Sequence, residues 1–93
     1  MKKVKIGNVE YKLESLTALD LRTLNKEKEE KKISDFDQTF NMYLYAIKKY
    51  NDGINMTLDE FMESIPLVEI QDTITKINEI LGLNFTQPTG KIL

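Results

Sequence analysis

The segment VKIGNVEYKL, residues 4–13, decides the fold. Two short runs of alternating apolar and polar residues flank Gly7-Asn8, a pair suited to a two-residue hairpin turn. A loop of that length opposes Ile6 to Val9, Val4 to Tyr11 and Lys5 to Glu10. The apolar pairs then share one face and the Lys5-Glu10 pair occupies the other, because side chains alternate across a strand. A two-stranded ribbon alone is marginal in water. The apolar face therefore calls for helices from the same chain to cover it, or for a strand of another chain to extend it; the layer rule favours the first.

The rest of the chain supplies that cover. Thr17 and Asp20 have the spacing of a capping box and open a helix over residues 17–31. Its apolar edge, Ala18, Leu21 and Leu24, ends after two turns. The following KEKEEKK, residues 26–32, offers Lys26-Glu30 and Glu27-Lys31 pairs but nothing to bury, so it reads as a solvated helix end or a linker. Ser34 caps a second helix over residues 35–50, with Asp35 and Asp37 at its positive end. A step of about 100° per residue puts Phe36, Phe40, Tyr43, Leu44, Ile47 and Tyr50 on one core-facing stripe. Tyr45 then falls on the opposite side and Met42 on a flank.

Asn51-Asp52-Gly53 makes a turn, and Thr57-Leu58-Asp59-Glu60 is a clear capping box for a short helix over residues 58–64, with Phe61, Met62 and Ile65 apolar. Pro66 suits the first position of a fourth helix, residues 66–81, which Gly82 stops. Leu67, Ile70, Ile74, Ile77 and Leu81 form a narrow stripe fit for a helix-helix seam within the domain or between chains, and Val68 and Ile80 widen it. Residues 83–93, with Pro88 and Gly90, read as a flexible tail. The expected fold class is mainly α (α+β): a hairpin over residues 3–13 followed by about four helices in one compact domain, residues 1–82.

Composition narrows the chemistry. The chain has 93 residues, 13 basic and 15 acidic, with 41% hydrophobic residues and no His or Cys. That length supports one core. Without Cys there is no disulfide framework or thiolate metal site, and without His there is no imidazole ligand or neutral-pH acid/base. No enzyme activity, metal or cofactor is expected. A formal charge of −2 opposes nucleic acid as a bulk partner. No apolar run approaches a bilayer span, and Met1-Lys2-Lys3-Val4 leads into a strand without the apolar core of a signal peptide, so a cytosolic protein with no membrane contact is expected.

Local motifs add no catalyst. Between residues 48 and 60 a calcium loop is suggested by Asp52-Gly53 and Glu60. Placing Gly53 at position six puts Lys48 at one, Tyr50 at three and Asp59 at twelve, which is not a ligand set. A helix-turn-helix reading of the last two helices fails because Glu69, Gln71 and Asp72 precede Lys76 and would repel phosphate. There is no P-loop, dinucleotide glycine fingerprint or nucleophile elbow. Twelve Lys against one Arg, with ten Ile, seven Asn and two Ala, fit a low-GC genome.

The order of elements is the most informative remaining feature. A hairpin (VKIGNVEYKL) is followed by a Leu-Thr helix start (LTALDL), a charged connector and an aromatic-rich helix (FDQTFNMYLYAIKKY). A capped short helix (TLDEFMESI) and a last helix ending at Gly82 complete it. Over about residues 4–82 this resembles the tail assembly chaperones of long-tailed phages and prophages of low-GC Gram-positive bacteria. The resemblance implies a non-enzymatic protein of the host cytoplasm that coats the tape-measure protein before tail-tube subunits polymerise around it. It also implies self-association and absence from the finished virion. A tape-measure protein is a long amphipathic helix, which small helical modules mask by helix-in-groove contacts that add through multivalency.

Under that reading Met42, Tyr45, Phe61, Met62, Ile70 and Ile80 are the candidate contacts, since Met and aromatic side chains adapt to varied apolar partners. Acidic substitutions at Met42 and Tyr45 are expected to spare the fold. A small regulatory adaptor or inhibitor that binds a host protein is the competing class.

Overall fold

A computed structural model describes residues 1–83 of the chain, so of the tail read over residues 83–93 only Leu83 is described, packed against the core, and residues 84–93 lie outside the described residues. β1 (Lys2–Ile6) and β2 (Val9–Leu13) pair antiparallel with Ile6 opposite Val9, Val4 opposite Tyr11 and Lys5 opposite Glu10. Gly7 has φ +61° while Asn8 keeps a negative φ, the pattern of a type II′ turn, which takes glycine at its first central position. A side chain there would also crowd the Ser64 carbonyl, 3.3 Å from an added Cβ.

One face of the ribbon is buried through Val4, Ile6, Tyr11 and Leu13. The cover comes from the same chain: α2 (Asp35–Tyr50) lies against β2, and α4 (Ile70–Leu81) lies against β1 and reaches β2. α3 (Leu58–Glu63) packs on α2 and adds Phe61. Tyr43 joins the two covering helices, its hydroxyl donating to Asn78 Oδ1 at 2.7 Å. Burial pushes the Tyr43 phenol up to about 12, so the hydroxyl remains a donor at neutral pH. The connector from β2 is tied to the end of α4, where Leu16 N–H donates to the Leu81 carbonyl at 3.1 Å. Gly82, at φ +81°, closes α4, with its own N–H and that of Leu83 both donating to the Asn78 carbonyl.

α1 (Ala18–Lys31) is a continuous helix through the charged stretch. Its capping box is complete: Asp20 N–H donates to Thr17 Oγ1 at 3.2 Å and Thr17 N–H donates to Asp20 Oδ2 at 2.8 Å. The second box is equally complete at Thr57 and Glu60. Ser34 caps α2 by accepting from Asp37 N–H at 3.1 Å.

Several apolar positions depart from the periodicity, among them Ala18 and Val68, both exposed, and three whose reasons are local. Phe36 begins the α2 stripe but projects past the end of the cover, 64% exposed, touching Phe40 with 5.2 Å between ring centres. Val9 shares the buried face of the hairpin yet sits beyond the helices, half exposed. Leu67 is excluded because the chain after Pro66 first makes a 3-10 turn (Leu67–Glu69) and becomes α-helical only at Ile70. The turn has a different angular step from the helix, so Leu67 rotates off the Ile70-Ile74-Ile77-Leu81 stripe. Helix four thus begins at Ile70 and not at Pro66.

Phe61→Ala is expected to lower the unfolding free energy by about 3–5 kcal/mol, because the ring is fully enclosed and leaves a cavity. Phe36→Ala should cost about 1 kcal/mol or less, the worth of its one aromatic contact. Urea unfolding of both variants checks the contrast.

Candidate functional site

α1 joins the rest of the molecule mainly by polar contacts. Leu24, at 1% exposure, is its one fully buried apolar side chain and stands apart from the core cluster. Around Leu24 runs a ladder to α2: Gln38 Nε2 donates to the Leu24 carbonyl at 3.1 Å, and Asn41 Nδ2 donates to Glu27 Oε1 at 2.9 Å. Lys28 meets Asp35 at 3.0 Å, although Asp35 is so exposed that the pair adds little.

Asp20 is the centre of this ladder. Besides closing its own capping box, the carboxylate accepts from Tyr45 Oη at 2.7 Å and from Lys49 Nζ at 2.6 Å. Tyr45 and Lys49 are four residues apart on one face of α2, so a single carboxylate holds both. Lys49, then hydrogen bonds from Thr17 and Tyr45, keep the buried Asp20 carboxyl far below the usual carboxylate range, against the desolvation that opposes ionisation. The same contact raises Lys49 and Tyr45 above their ordinary values. Glu27 is lowered chiefly by Asn41 and then by Lys31.

This geometry revises the list of contact residues. Tyr45 is half-buried and its hydroxyl is committed to Asp20, so an acidic residue there would set a second carboxylate against the first. Its ring lines an open groove of about 410 Å³ with Thr23, Lys26, Glu27, Glu30 and Lys31. Met42 is half-buried and lies outside the core cluster. Phe61 is a core residue and presents no surface. Met62, Ile70 and Ile80 are partly buried and packed against the core, each retaining some exposed surface. Of the six positions, Phe61 is thus enclosed and the other five keep some exposed surface.

The strongest apolar exposure lies in the 3-10 turn instead. Leu67 and Val68 are 82% and 92% exposed, held between buried Ile65 and partly buried Ile70. Helical periodicity places Leu67 inside, and its signal was the proline: a residue after Pro66 need not start in α-helical register. Among the described residues no group of three or more Asp, Glu, His or Cys is placed to hold a metal, and no helix is long and apolar enough to cross a membrane. Comparison of the chain with protein-family models, curated proteins and solved structures finds no match in any of the three.

Because the folded Asp20 carboxyl ionises more readily than an unfolded one, its contribution to stability is fully present above the ordinary Asp value of about 3.9 and is lost as the pH falls below it. Acid unfolding should therefore be shallower in Asp20→Asn than in the parent chain, with the difference confined to the region below about pH 5. Unfolding free energies measured from pH 2 to 7 test this.

Proposed function

We propose that this protein is a non-enzymatic tail assembly chaperone that covers the apolar stripe of a tape-measure protein, acting in many copies in the host cytoplasm and leaving before the virion is complete. The observation that carries the proposal is the exposed Leu67-Val68 pair beside α4. Two adjacent large apolar side chains, fixed on an ordered turn at the start of an amphipathic helix, are suited to an apolar stripe on another helix. The order of hairpin, charged helix, aromatic helix, short capped helix and final helix supports the family reading.

Magnitudes suit a coating protein. Burying a Leu and a Val fully is worth roughly 1.5–3 kcal/mol each. The cost of association, about 4–15 kcal/mol, offsets most or all of that sum, so one such contact is weak by itself. Many copies along one long helix would bind firmly together while each stays easy to displace by tube subunits. Self-association between neighbouring copies would strengthen the coat, and the tail-tube protein is the partner that displaces it.

The test uses a purified tape-measure fragment from a genome that encodes this chain. The parent protein should suppress light scattering by the fragment, and Leu67→Asp with Val68→Asp should require about tenfold more protein for the same effect. Melting should be nearly unchanged, because both side chains are already in water. Equal suppression by the double variant would refute the role of this pair. Absence of any suppression by the parent protein would favour the adaptor or inhibitor class.

A further inference from the structure

The two outer edges of the hairpin are finished differently. With Ile6 and Val9 paired across a two-residue turn, the backbone groups of Lys3, Lys5, Glu10 and Lys12 point away from the partner strand. On β2 the Asn51 side chain satisfies the edge at Lys12, its Oδ1 accepting from Lys12 N–H at 3.0 Å and its Nδ2 donating to the Lys12 carbonyl at 2.8 Å, while the outward groups of Glu10 have no partner among the described residues. Asn51 thereby imitates a neighbouring strand. On β1, among the described residues, the outward N–H and C=O of Lys3 and Lys5 have no such partner.

The surface beside that open edge is shaped and charged. A groove of about 400 Å³ lies between the end of β1 and α4, lined by Lys5, Asn8, Glu69, Asp72, Lys76 and the buried Thr73. The uncovered face of the sheet carries Lys3, Lys5 and Lys12 against a single acid, Glu10, in a chain whose formal charge is −2. Lys3 stands directly opposite Lys12 in a pair without cross-strand hydrogen bonds, where side chains approach most closely and like charges are unfavourable. Lys3 finds only a distant ion pair with Glu10, at 3.9 Å and well exposed. Beyond that contact no ion pair answers Lys3, Lys5 or Lys12 among the described residues, although Glu69 and Asp72 share the groove with Lys5.

We propose that the outer edge of β1 is a docking site for an extended, acidic segment of another protein, which adds to the hairpin as a third strand. Its backbone pairs with the outward groups of Lys3 and Lys5, and its carboxylates, on alternate residues, meet Lys3 and Lys5 on the uncovered face. A second copy of the chain fits poorly, because antiparallel pairing of two β1 strands would bring the same lysines together. The site is distinct in chemistry from the apolar Leu67-Val68 contact and holds whatever the identity of the partner.

The probes are two blocked heptapeptides, TEVEVET and its basic counterpart TKVKVKT, titrated into the ¹⁵N-labelled protein. The acidic peptide should shift the amide signals of Lys3 and Lys5 and slow their hydrogen exchange at least about tenfold, while the basic peptide should do neither. Lys3→Glu combined with Lys5→Glu, at exposed positions, should weaken binding about tenfold or more. Lys5→Pro removes both the outward N–H and the Lys5 charge and should abolish the protection at Lys3. Equal effects of both peptides, binding without protection of these two amides, or undiminished binding by the Lys3→Glu/Lys5→Glu protein would each overturn the proposal. Protection that appears with protein concentration in the absence of peptide would assign the edge to a second copy and overturn it as well.

Discussion

The N-terminal ribbon has only two strands, and no ribbon of that width holds its shape in water without a cover. Burial of Val4, Ile6, Tyr11 and Leu13 against α2 and α4 is the interaction from which the rest of the fold follows. Each such side chain contributes roughly 1.5–3 kcal/mol when removed from water, enough in sum to fix the ribbon although its backbone pairing alone would not. The need for that cover sets where α2 and α4 lie. Tyr43-Asn78 and the Leu16-Leu81 hydrogen bond then tie the covering helices and the connector together.

Once the hairpin, α2, α3 and α4 have shared the core, little apolar surface remains for α1. Its sequence had little to offer, since KEKEEKK follows only two apolar turns. Docking of α1 therefore falls to Leu24 and to a ladder of hydrogen bonds whose centre is Asp20. A carboxylate that caps its own helix and also binds Tyr45 and Lys49 joins local and tertiary structure in one group. The same economy leaves one sheet face bare, and its lysines and the β1 edge become the natural place for a chain that brings carboxylates.

Features set by neighbouring residues were legible in the sequence. The hairpin register follows from Gly7-Asn8, and both capping boxes and the Ser34 cap follow from residue types three positions apart. Periodicity located the inner side of α2 and α4 but not how far the cover extends, which is why Phe36 and Val9 lie in water. The 3-10 turn after Pro66 changed the angular step and displaced Leu67. Asp20 was recognised as a cap, but its bonds to Tyr45 and Lys49 join segments more than twenty residues apart, and neither pattern nor propensity encodes that distance. Of the candidate contacts, Phe61 is core, whereas Met42, Met62, Ile70 and Ile80 keep partial exposure. Met and aromatic residues at helical spacing serve a core and an interface equally well, so residue type alone could not separate them.

The ribbon is buried on one face, tied to Asn51 at Lys12 on one edge and open along the other. Residue-resolved hydrogen exchange of the free protein tests this arrangement most directly. The amides of Val4, Ile6, Tyr11 and Leu13, which point into the hairpin, should exchange only on global unfolding, Lys12 should be protected to an intermediate degree through Asn51, and Lys3 and Lys5 should exchange nearly as fast as in an unfolded chain. Strong protection at Lys3 and Lys5, or rapid exchange at Val4 and Tyr11, would contradict it.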